Sequence, residues 1–187
     1  MNEKYELTEE FKEIETLREG WLQKIKVYRI RALRAFADVK IGDLGGFVET
    51  KQNLSNMGNA WVCDNAKVYG NAEVCSNARV YGNAEVCSNA EVCDNANIFW
   101  CSSIGSRHAT TTMFRNKDNG ITVTCGCFMG TLEEFAAIVE KEHGENIFGK
   151  EYKLLIELAK IHFARRDKRR RGKWHIESRL STLTQTK

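Results

Sequence analysis

The chain has 187 residues, 42% hydrophobic and 28% charged, with 28 Lys and Arg against 25 Asp and Glu for a net charge of +3. That balance is ordinary for a globular domain, and no apolar run approaches the roughly 20 residues that span a bilayer. The opening Met1-Asn2-Glu3-Lys4-Tyr5-Glu6 lacks the basic start and apolar stretch of a secretion signal, so the expectation is a soluble protein of the cytoplasm with no membrane contact.

In chain order, residues 8–20 (TEEFKEIETLREG) read as a short helix or a mobile arm, and Lys26–Phe36 alternates as a strand. Residues 1–50 are therefore expected to form an arm and a β cap. From Asn59 the chain runs NAWVCD, NAKVYG, NAEVCS, NARVYG, NAEVCS, NAEVCD, NANIFW, seven consecutive hexads over residues 59–100. A degenerate hexad (53–58) precedes them and another (101–106) follows, which makes 51–106 one repeat unit. In an extended segment residues two apart point the same way, so Ala60 with Val62, Ala66 with Val68 and their successors face a common core. The Gly/Ser/Asp-Asn steps supply recurring corners, because Gly and Asn tolerate positive φ. A period of six is not helical, and three strand-and-corner units close a coil of 18 residues. The chain contains no proline, so every backbone N–H can serve the ladders.

After the repeat, Thr110–Arg115 and Ile121–Phe128 flank Lys117-Asp118-Asn119-Gly120, a hairpin signal. Thr131-Leu132-Glu133-Glu134 is a capping box that opens a helix ending near Gly144. A second helix runs from about Phe148 beyond Phe163, with Tyr152, Leu155, Ile156, Ala159 and Phe163 on one face as core. This hairpin and two-helix cap takes in 107–165, and a basic tail occupies 166–187. The stretch 165–173 (RRDKRRRGK) holds seven basic residues and one acidic, which leaves the rest of the chain near −3.

Three motifs carry a resemblance to a known family. The lead-in YRIRALRAFADVKIGDLGGFVE (28–49), the NA-x-V hexads, and the exit IGSRHATTTMF (104–114) followed by CGCFMGTLEEF (125–135) are similar to the hexapeptide-repeat superfamily. Within it they most resemble uncharacterised hexapeptide proteins of bacteria, phages and prophages. The resemblance covers roughly residues 25–163. It implies a mainly β fold: a short left-handed parallel β-helix of about three coils, with an N-terminal β cap and a C-terminal hairpin plus two helices. It also implies homotrimers, common in that superfamily, and phage or mobile-element origin, from which inhibition of a host defence factor follows as a role.

Stacking by 18 residues sets Trp61, Arg79, Tyr81 and Phe99 on one outward face. Such a patch reads as an oligomer or partner interface, as a face covered by the chain's own N-terminal segment or C-terminal helices, or as a stacking platform for a ligand. Cys63, Cys75, Cys87 and Cys93 follow the repeat at separations of 12, 12 and 6. All seven cysteines are read as free thiols, Cys75 and Cys93 included although they stack one rung apart, with no metal and no cofactor. Acyltransferases of the family use a histidine base on a loop thrown out of the coil. Here the hexads run on without one, and His108 is the single weak candidate for a catalytic base. Arg165, Arg166, Lys168, Arg169, Arg170, Arg171, Lys173 and Trp174 suit contacts to nucleic acid or an acidic partner, or else form a solvated tail. The leading expectation is a non-catalytic oligomeric binding protein for a protein, nucleotide or nucleic acid. An acyltransferase and a structural trimeric scaffold are the alternatives.

Overall fold

The structure, a computed structural model, describes residues 3–18 and 21–164. Thirteen strands and two helices occur among these residues. Strand β1 (Tyr5–Arg18), β2 (Trp21–Ala32) and β3 (Leu44–Val48) come first. Six two-residue strands follow: β4 (Trp61–Val62), β5 (Lys67–Val68), β6 (Glu73–Val74), β7 (Arg79–Val80), β8 (Glu85–Val86) and β9 (Glu91–Val92). Then come β10 (Ile98–Ile104), β11 (Ala109–Arg115), β12 (Ile121–Cys125), β13 (Phe128–Thr131) and helix α1 (Leu132–His143). Helix α2 occupies 147–164. No helix among the described residues is long and apolar enough to cross a membrane.

The fold expected from the repeat, a left-handed parallel β-helix of about three coils, is not the architecture observed. The strands fall into four separate sheets. The largest, in the order β1-β2-β3-β5-β8, is mixed: antiparallel through β3 and parallel beyond. The sheet β10-β11-β12-β13 is antiparallel throughout, and β4-β7 and β6-β9 are isolated parallel pairs. The physical reason lies in how each hexad divides its residues. Only two of six remain extended, so hexads three apart pair over two residues (Trp61↔Arg79, Lys67↔Glu85, Glu73↔Glu91). The N-terminal segment, expected to be an arm and a β cap, instead supplies the longest strands, of 14 and 12 residues.

Of the stretch 8–20, the described residues 8–18 are accordingly neither helix nor loose arm but most of β1. Its carboxylates face basic partners on β2, Glu13 opposite Lys26 and Glu15 opposite Lys24, and such opposite-charge pairs favour the ladder. The long hairpin is joined to the repeat through β3. There Gly45 and Gly46 lie so close that an added Cβ would stand 2.6 Å from the carbonyl oxygens of Val62 and Ala66 respectively. Only glycine lets the two backbones approach that far.

Inside the repeat, Ala60, Ala66, Ala72, Ala78, Ala84 and Ala90 are buried together with Val62, Val68, Val74, Val80, Val86 and Val92. The corners take left-handed φ at Asp64, Gly70, Ser76, Gly82 and Ser88, one position before each Asn. The asparagines bond to one another instead, Asn59 to Asn77 at 3.1 Å and Asn71 to Asn89 at 3.4 Å. Cys75 and Cys93 are disulfide-bonded, with Cα atoms 4.4 Å apart. This corrects the expectation of seven free thiols, because parallel pairing of β6 with β9 carries both sulfurs to one side. The other five cysteines are free.

Two cores result. One joins the hairpin to the Ala/Val rows and ends at Ile98 and Phe114. The other packs α1 and α2 against the antiparallel sheet through Met113, Val123, Phe135, Leu155 and Phe163. Thr131 caps α1 through the reciprocal bonds with Glu134, and Gly144 ends it at φ 50°.

Candidate binding cleft

Where the β1/β2 hairpin lies against β5 and β8, two cavities open on either side of a common wall. The wall is Thr16 of β1 and Tyr69, which follows β5, both of them buried. One cavity, of about 450 Å³, is lined by Arg18, Glu49, Thr50, Gln52, Cys87 and Ser88 among others. The second, of about 340 Å³, is lined by Glu15, Leu22, Glu85, Thr124, Phe128 and Met129 among others. Both volumes suit a small organic molecule.

Local rules position each wall. Tyr69 and Cys87 are hexad residues that directly follow β5 and β8, which pair in parallel. Gly70 and Ser88 turn the chain just beyond them with positive φ. The Glu49 carboxylate is held twice, by the Arg18 guanidinium and by the Gly70 N–H, which donates at 2.8 Å. The first cavity is therefore charge-balanced. Glu85 pairs with Lys67 and lies 3.4 Å from the Tyr69 hydroxyl. Its backbone N–H donates to Thr112 (3.1 Å) and its carbonyl accepts from the Thr124 hydroxyl (3.2 Å), so the C-terminal sheet is docked onto this strand.

Burial governs the titration of the wall. It pushes the Cys87 thiol up to about 11 and drives the Tyr69 phenol well above its ordinary range, reinforced by Cys87 and Glu85. Cys87 is thus a thiol at neutral pH, 3.4 Å from the Met129 sulfur, and not an activated nucleophile. The second cavity presents two carboxylates from separate strands, Glu15 and Glu85, beside the rings of Tyr69 and Phe128 and the Met129 thioether. Glu85 is paired with Lys67 and Glu15 lies 3.8 Å from Lys24, so a cation entering here shares these carboxylates with the two lysines while the ring faces and thioether take its apolar body.

The residues singled out by stacking are divided by the structure. Trp61 is only 3% exposed, covered by Tyr5 and Phe36 at ring distances of 6.3 and 5.3 Å. Arg79 pairs with Asp38 and is itself buried. Tyr81 is 40% exposed and stacks on Trp100 (6.1 Å) rather than on Phe99. Phe99 turns to His162 at 5.4 Å and packs on the C-terminal core. The ladder breaks there because β10 begins at Ile98 and leaves the hexad phase. His108 is exposed on a turn with φ 47° and lines neither cavity. Arg165, Arg166, Lys168, Arg169, Arg170, Arg171, Lys173 and Trp174 lie outside the described residues.

Sequence reasoning missed Thr16, Arg18, Glu49 and Glu15. The stacking of Lys67 and Tyr69 against Glu85 and Cys87 was a readable signal for half of the cleft. The other half depends on the hairpin, whose acid-against-base register was the only clue to it. No protein-family model matches the chain, and no curated protein matches it.

Proposed function

We propose that this protein is a non-catalytic binding protein and that its ligand is a small organic molecule bearing a protonated amine. The observation that carries this reading is the 340 Å³ cavity with Glu15 and Glu85 on its walls and Tyr69 and Phe128 beside them. An ammonium there competes with Lys67 for Glu85 and with Lys24 for Glu15, and the apolar body meets rings and thioether. The two carboxylates make this second cavity a poorer site for a phosphate than for an amine. The wider role rests on the motifs that resemble phage and prophage proteins: capture of a molecule in the cytoplasm of a bacterial host, binding being the activity itself and inhibition of a host factor its effect.

Isothermal titration with tyramine, which carries one ammonium and one ring, tests the reading. The expected result is one molecule per chain, with affinity at least about tenfold lower in Glu15→Gln/Glu85→Gln. No heat with tyramine, or tighter binding of AMP, overturns it.

A further inference from the structure

The proposed amine site takes up the second cavity and leaves the first, of about 450 Å³, unassigned. Arg18 and Glu49 are the charged residues of its lining, and they pair with each other. A ligand with a net charge gains little there, since attraction by one member of the pair is offset by repulsion from the other. Hydrogen-bonding groups are plentiful by contrast. Glu49 engages Nη2 of Arg18, so the guanidinium keeps Nε and Nη1 as donors. The exposed Gln52 side chain makes no hydrogen bond among the described residues; only its backbone N–H is engaged, donating to Thr50. The Asn71 amide nitrogen donates to Asn89 at 3.4 Å, which leaves its oxygen to accept. The Ser88 hydroxyl donates to the Met129 sulfur at 3.0 Å and keeps its lone pairs. Apolar support is scarce: Tyr69 is 6% exposed, with its hydroxyl 3.4 Å from Glu85 of the second cavity. A flat heteroaromatic finds almost no ring face to stack on.

We propose that this first cavity is a second binding site, for a neutral polyhydroxylated molecule of the size of a mono- or disaccharide. The volume suits it. Each hydroxyl both donates and accepts, so a polyol takes the Arg18 and Gln52 N–H groups as donors and the Asn71 and Glu49 oxygens as acceptors. Part of the wall is held in place before any ligand arrives, because the Glu49 carboxylate is fixed by Arg18 and by the Gly70 N–H at 2.8 Å. Arg18, Glu49, Gln52 and Asn71 line this cavity and not the second, so the site stands or falls separately from the amine site.

Saturation-transfer NMR on the full chain, with glucose, galactose, mannose, ribose and trehalose each at tens of millimolar, tests the proposal. Transfer to at least one of these sugars is expected, with a dissociation constant in the millimolar range or below. Gln52→Ala/Asn71→Ala is expected to weaken binding of that sugar at least about tenfold with unchanged circular dichroism, whereas Glu15→Gln/Glu85→Gln leaves it unaltered. If the first variant loses its fold, Gln52→Ala alone replaces it and is expected to weaken binding several-fold. Affinity is expected to be equal at low and moderate salt, since the ligand is neutral. No transfer to any of the five sugars, full affinity in the Gln52 variants, or tighter binding of gluconate or adenine overturns the proposal.

Discussion

Lys4 is fully buried, its ammonium donating to the Ala60 carbonyl at 2.9 Å and lying 5.1 Å from the Phe36 ring centre. Burial, with Arg34 adding repulsion, lowers it from 10.5 to about 8. Between those values the unfolded chain binds the proton that the folded chain has lost, so this residue makes stability rise with pH from about 8 upward. The Cys63 and Cys87 thiols act in the opposite sense. Burial raises each from 9 to about 11, so above pH 9 they release protons on unfolding and stability falls. Urea denaturation is therefore expected to show stability climbing between pH 8 and 9, and Lys4→Met is expected to abolish the climb. A variant with the same slope as the parent removes Lys4 as its cause. The sequence shows this lysine only as a charge near the start of the chain, because what buries it, Phe36 and the first full hexad, lies some 30 to 56 residues away.

At the scale of elements, the repeat and the hairpin were legible to different degrees. The period of six places every inner Ala and Val and sets the 18-residue register, both being consequences of strand alternation. The segment that became β1 was harder to read, since Phe11 and Ile14 stand three apart as they would on a helix. Pairing with β2 overrides that local spacing through an antiparallel register from Tyr5↔Ala32 to Arg18↔Trp21. In the pair β6–β9, Glu73 stands directly opposite Glu91, an unfavourable like-charge arrangement. The Cys75–Cys93 bond closes a loop of 18 residues beside it, worth about 3 kcal/mol on chain-entropy grounds. Thiol titration of the oxidised, denatured protein is expected to find five groups, and seven after reduction. Cys75→Ser/Cys93→Ser is expected to lose up to about 3 kcal/mol in denaturant. Seven thiols without reduction would show that the bond is absent.

At the scale of the whole molecule, β11 ties the two cores together, because alternation sends Phe114 into one and Met113 into the other. Both side chains are fully buried. Phe114→Ala is expected to cost about 3–5 kcal/mol and to lower a single thermal transition instead of splitting it. Two separate transitions by calorimetry would mean that the cores melt independently. The sequence by itself determined what depends on near neighbours: the Ala/Val rows, the Gly/Ser/Asp-Asn steps as corners, the turn at Lys117–Gly120 and the capping box at Thr131. Each is set by interactions within about six residues, which local pattern records directly. Only the tertiary structure decided that the strands divide into four sheets, that β1 and β2 close a cleft over Tyr69, and that Trp61 is covered. Those outcomes follow from which distant surfaces meet, and no local period encodes that.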